Sequence, residues 1–115
     1  MIDALQGKAE DAASFLKMLA SAPRLMLLCH MANGETNVGQ LADLTGMRMP
    51  TVSQQLALLR AQGLVRTRRE GTTIYYSLDS EIAQDVLALL QKHFCPPEAM
   101  ARGSSGKKLE TSSVD

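Results

Sequence analysis

Between Val38 and Leu78 the apolar period of the chain changes once, at Gly63. Ahead of that glycine the spacing is helical. Val38-Gly39-Gln40-Leu41-Ala42-Asp43-Leu44 reads as a short helix closed by Gly46. Pro50 then opens a longer one, in which Val52, Leu56 and Leu59 share a buried side and which Gly63 stops. Beyond it, Leu64–Arg69 and Thr73–Leu78 alternate residue by residue and are rich in β-branched and aromatic side chains. With Glu70-Gly71 as the turn, they predict a β-hairpin. A short helix, a turn at Gly46-Met47-Arg48-Met49 and a longer helix make a helix-turn-helix, and a hairpin placed directly after it is a wing.

The flanks supply more helix. In residues 9–20, Ala12, Phe15, Leu16 and Leu19 fall on one face. Ser21 is a good N-cap with Pro23 in the first turn, so a second helix starts there. Its apolar face is read as Leu25, Leu28, Cys29 and Ala32, and Asn33-Gly34 ends it. From the N-cap Ser80 a last helix runs to about Cys95, apolar nearly all round through Ile82, Ala83, Val86, Leu87, Leu89, Leu90 and Phe94, before Pro96-Pro97. A terminal helix of that composition in a domain this small needs a second surface to cover it, which predicts a dimer. The expected fold is mainly α with a β-hairpin wing: a winged helix-turn-helix in the order α-α-α-α-β-β-α, dimeric. The 115 residues allow one core. They are divided into a DNA-binding and dimerisation domain over 1–97 and a polar, Gly/Ser-rich, disordered tail over 98–115.

Twelve basic residues balance twelve acidic ones, yet the charge is uneven. Residues 44–78 carry Arg48, Arg60, Arg66, Arg68 and Arg69 against Glu70 alone, while both flanks are net acidic. Arginine suits bidentate contacts to phosphate and to guanine edges. On the longer helix, burial of Val52, Leu56 and Leu59 leaves Thr51, Ser53, Gln54 and Gln55 facing outward near its N-terminus, the end that enters a major groove. Arg48 and Arg60, at its two ends, and Arg68 and Arg69, beside the hairpin turn, are placed for phosphate or minor-groove contacts. A solvated polar face competes with each of these readings taken singly; the helix-turn-helix with its wing favours double-stranded DNA. Aromatic residues at 3% with no Trp argue against a stacking platform for single strands. No apolar run is long enough to span a bilayer and the N-terminus lacks the pattern of a secretory signal, so a cytoplasmic location without membrane contact is expected. No paired carboxylates, phosphate loop or nucleophile with a base at workable spacing appears, so no enzymatic activity and no cofactor are expected.

Val38-Gly39-Gln40-Leu41-Ala42, Thr51-Val52-Ser53-Gln54-Gln55-Leu56-Ala57-Leu58-Leu59-Arg60, Gly63-Leu64-Val65 and Arg69-Glu70-Gly71-Thr72-Thr73-Ile74-Tyr75-Tyr76-Ser77-Leu78 resemble the ArsR-type (arsenic-repressor) transcriptional repressors over about residues 9–95. The resemblance implies a homodimer built on the first and last helices that binds a palindromic operator and leaves it when an inducer arrives. Many such proteins sense metals. This chain, however, has Asn37, Val38 and Gly39 where a thiol site on the short helix would need cysteines, and only Asp85 and His93 on the last helix. With His30 they form no recognisable ligand set, so no metal site is assigned. Cys29 after Leu27-Leu28, and Cys95 after His93-Phe94, are similar to the thiol pair of the persulfide-sensing, BigR- and SqrR-like branch. There the two cysteines of one protomer are joined by a sulfur bridge and DNA is released. A thiol-disulfide or peroxide sensor of the same family is the alternative, followed by a metal sensor, a non-sensing repressor and a winged-helix interaction module without DNA. Read locally, Cys29 is a small hydrophobe on an apolar helix face, and Cys95 lies at a helix C-terminus rather than at the N-terminus where activated thiols sit. Any activation has to come from tertiary neighbours, with His30, His93 and Lys92 as candidates.

Overall fold

The computed structural model describes residues 2–95. The tail assigned to 98–115, and Pro96-Pro97, lie outside the described residues. The elements are α1 (Ile2–Gln6), α2 (Ala9–Leu19), α3 (Ala22–Ala32), α4 (Val38–Thr45), α5 (Met49–Ala61), β1 (Val65–Glu70), β2 (Thr73–Leu78) and α6 (Glu81–Phe94). The expected order is present, preceded by the five-residue α1, which carries no buried side chain. The chain divides within α6 into two compact units, one up to Gln84 and one from Asp85 onward.

In the first unit α3 packs on α2, α4 and β2, while α5 packs on α4 and β1. Their junction is the core: Leu27, Leu28, Leu41, Val52, Leu56 and Leu59 are wholly buried, with Met31, Leu64 and Val65 nearly so. Each such side chain contributes about 1.5–3 kcal/mol by leaving water. The inner face of α5 is the one expected, but that of α3 is rotated. Leu27, Leu28 and Met31 are buried, whereas Leu25, Cys29 and Ala32 are half-buried. From Leu25 to Cys29 helix α3 is apolar at every position, so periodicity alone does not fix which face turns inward.

Local chemistry sets the ends of the elements. The Ser21 hydroxyl accepts from the Arg24 amide (3.4 Å), and the Ser80 hydroxyl from the Ala83 amide (3.0 Å). Asn37 and Gln40 form a capping box at the start of α4. Gly46 ends α4 with φ +78°, and nothing lies within 4 Å of where a Cβ would stand. The demand there is on the backbone alone. Gly46→Val is therefore expected to lower stability by about 1–2 kcal/mol through left-handed strain, without a clash, as read by urea denaturation.

The hairpin register runs from Val65↔Leu78 to Glu70↔Thr73. The turn is thus Gly71-Thr72, one residue later than expected, with Glu70 paired in the ladder and Gly71 at φ +64°. Thr36 extends the sheet by one residue: its amide donates to the Tyr76 carbonyl (3.0 Å) and its carbonyl accepts from the Tyr76 amide (2.7 Å). This anchors the middle of the wing to the loop that leads into α4. In the second unit Leu87 is buried, while Leu89 and Phe94 are exposed.

Candidate nucleic-acid interface and thiols

Helix α5 turns Thr51, Ser53 and Gln54 to solvent on the side opposite Val52, Leu56 and Leu59. Arg48 occupies its N-cap position without a side-chain capping bond, so the cap residue leaves the amide groups of the first turn unmet. Between α5 and the wing lies a cleft of about 460 Å³ lined by Asn37, Gly39, Ser53, Thr73, Ile74 and Tyr76, among others. A neighbouring cleft of about 430 Å³ is lined by Ser53, Ala57, Arg60 and Tyr76, among others. Ser53 belongs to both, which places it where the helix meets the wing.

The arginines divide into two groups. Arg48, Arg60 and Arg69 are exposed and, among the described residues, form no ion pair. Arg66 pairs with Asp79 (3.0 Å). Arg68 makes a forked contact with Glu35, Nε to Oε2 and Nη2 to Oε1, both 2.9 Å, stands 3.5 Å from Glu70, and lies 4.9 Å over the Tyr75 ring. Arg68, expected to contact phosphate, thus holds its guanidinium against Glu35 in the loop that leads into α4. The hydrogen bond from Arg68 holds the Glu35 carboxyl below its ordinary range, so the pair persists through neutral pH.

Gln55, also expected at the DNA face, has its amide oxygen engaged within the protein. It is half-buried, and its Oε1 accepts from Arg24 Nη1 (3.1 Å). Sequence reasoning missed Arg24 and Glu35, whose partners lie 31 and 33 residues away. It also missed Asn37, although the Asn-x-x-Gln spacing is a legible capping signal.

Cys29 is half-buried on α3 and Cys95 is exposed just beyond α6; both are thiols. Beside Cys29, His30 buries its Nε2, which has no hydrogen-bond partner among the described residues. Burial lowers the His30 pKa below the ordinary imidazole value. His30 is therefore neutral at physiological pH and does not supply the cationic neighbour that thiol activation calls for. The sign of its pH effect follows. The neutral ring is favoured in the fold, so stability is fullest above the ordinary imidazole value and is lost as pH falls from there to the lower folded value. His30→Gln is expected to flatten the thermal-midpoint profile just below the ordinary imidazole value relative to wild type. Among the described residues no group of three or more His, Cys, Asp and Glu side chains is arranged to hold a metal ion, and no single helix is long and apolar enough to cross a membrane.

A helix-turn-helix whose second helix shows a polar face to solvent, backed by a two-stranded wing, defines a winged-helix DNA-binding protein. Residues 21–67 match the family model for bacterial regulatory proteins of the arsR family. The chain is 43% identical over 97 residues to the biofilm growth-associated repressor of Agrobacterium fabrum, across 84% of this chain and 83% of that one. Its fold superposes on the transcriptional repressor BigR from Xylella fastidiosa with a TM-score of 0.77 and 38% identity, covering 83% of this chain and 97% of that one. It also superposes on a homodimeric winged helix-turn-helix DNA-binding domain from Mycobacterium bovis, solved by NMR, with a TM-score of 0.66 and 32% identity, covering 92% and 94%. The protein belongs to the arsR family, a family of transcriptional regulators rather than enzymes.

Proposed function

We propose that the protein is a homodimeric cytoplasmic repressor that holds a palindromic operator and releases it when reactive sulfur species link Cys29 and Cys95 within a protomer. The observation that carries the DNA-binding half is the joint placement of the exposed Thr51, Ser53 and Gln54 face, the adjoining wing, and Arg48, Arg60 and Arg69 outside any ion pair among the described residues. The repressor reading is supported by the named repressors it resembles. The dimer is supported by the homodimeric Mycobacterium bovis domain and by the exposed apolar residues Leu5 and Leu16 near the N-terminus and Ile82, Leu89 and Phe94 on α6. The sensing half rests on the two thiols and their likeness to the persulfide-responsive branch.

The chemistry needs no separate oxidant. Each cysteine thiolate takes the outer sulfur of an organic persulfide and the carrier thiol departs. One persulfidated cysteine then attacks the other, and hydrogen sulfide leaves as the bridge closes. A bridge between α3, which carries Cys29, and Cys95 at the end of α6 acts on the spacing of the paired recognition helices, which must meet major grooves about 34 Å apart. A change of about 3 kcal/mol weakens binding more than a hundredfold.

The test uses a duplex enriched from a randomised pool by the reduced protein. Cys29→Ser and Cys95→Ser are expected to keep wild-type affinity and to lose release by glutathione persulfide. A serine variant that still releases contradicts the assignment. Arg60→Ala and Arg69→Ala are each expected to weaken binding evenly across sequences and to lower the slope of log affinity against log salt by about one.

A further inference from the structure

We propose that Arg24 is the positioning residue of the DNA-reading helix: it fixes the orientation of the Gln55 amide and so restricts what Gln55 reads. This rests on the DNA-binding reading above. Arg24 stands in the first turn of α3 and is half-buried. Its Nε donates to the Met18 carbonyl (2.7 Å), its Nη2 to the Lys17 carbonyl (3.4 Å) and its Nη1 to Gln55 Oε1 (3.1 Å). Both carbonyls belong to the last turn of α2, where outward-facing oxygens and the negative end of the helix dipole favour a cation. A planar guanidinium held at three of its donors has little freedom left, so the third contact sets the amide it meets.

Gln55 is thereby sorted into two ends. Its oxygen is occupied by Arg24, and what it offers outward is the NH2 group. A glutamine with both ends available pairs with adenine, accepting from N6 and donating to N7. One that offers only its NH2 favours base edges rich in acceptors: guanine O6 and N7, or thymine O4. Arg24 thus makes Gln55 a reader of acceptors and ties that reading to the end of α2.

The experiment enriches a randomised duplex pool separately with wild type, Gln55→Ala, Arg24→Lys and the double variant. The operator positions read by Gln55 are those whose preference is lost in Gln55→Ala. At those positions wild type is expected to prefer guanine or thymine, and Arg24→Lys, which keeps the charge but not the fork, is expected to move the preference toward adenine by on the order of tenfold. Addition of Gln55→Ala to Arg24→Lys should abolish that shift, a pattern that general loss of packing does not produce. The wild-type comparison alone keeps the test sharp if Arg24→Lys fails to fold. A wild-type preference for adenine at those positions, or an unchanged preference in a folded Arg24→Lys, overturns the proposal. A wild-type protein that enriches no sequence overturns the DNA-binding reading and this inference with it.

Discussion

Truncation of Leu56 to Ala is expected to lower the free energy of unfolding by about 2–5 kcal/mol, a large share of the 5–15 kcal/mol typical of a small domain. Leu56 has no exposed surface and sits on the inner face of α5 with Val52 and Leu59, where α5 packs on α4 and β1. Because Leu56 is wholly buried among packed elements, the cost includes a cavity as well as the lost transfer of methyl groups from water. The opposite face of the same helix should behave in reverse. Gln54 is exposed, so Gln54→Ala is expected to change stability by less than about 0.5 kcal/mol. Its effect should fall on operator binding, at about 1–3 kcal/mol, or roughly fivefold to more than a hundredfold in affinity. Urea denaturation and duplex titration of the two variants separate the roles. Equal stability losses would mean that α5 is not oriented as described.

Leu89→Asp is the second large effect. Leu89 lies on α6 with 55% of its surface exposed, together with Ile82 at 63% and Phe94 at 77%, an apolar stretch that water covers poorly in a lone chain. If the partner protomer covers it, a buried aspartate there splits the dimer, while the fold of each protomer is spared because the side chain was already outside its core. Two half-sites joined in one dimer bind 10²–10⁴-fold more tightly than either alone, so DNA affinity is expected to fall by about two decades or more. Sedimentation at micromolar concentration should show a monomer, with a cooperative thermal transition retained. An unchanged sedimentation coefficient would place the dimer interface elsewhere.

Much of this arrangement was legible because it is local. Ser21, Ser80 and Gly46 announce helix ends through their own hydrogen bonding or conformation, and the Val52-Leu56-Leu59 spacing fixes which side of α5 is inward. The inward face of α3 was not legible: Leu25 to Cys29 offers an apolar residue at every position, and only the neighbours select Leu27, Leu28 and Met31. The hairpin turn was displaced by one residue because Glu70-Gly71 and Gly71-Thr72 are both reasonable turn pairs and the ladder decides between them. The commitments of Arg68 to Glu35 and of Gln55 to Arg24 were hidden for a different reason. A charged or amide side chain on an outward face looks available in sequence, and its partner is supplied by an element more than thirty residues away.

The direct test of the central claim pairs intact mass with duplex retention on the reduced wild-type protein, after glutathione persulfide and, separately, after hydrogen peroxide. Persulfide is expected to add sulfur beyond the mass of an intramolecular disulfide, with Cys29 and Cys95 joined, and to abolish retention; peroxide should produce no such gain. Loss of two hydrogens and of DNA with both reagents would make the protein a general thiol-disulfide switch, and unchanged mass with full retention under persulfide would contradict sulfur sensing by these cysteines.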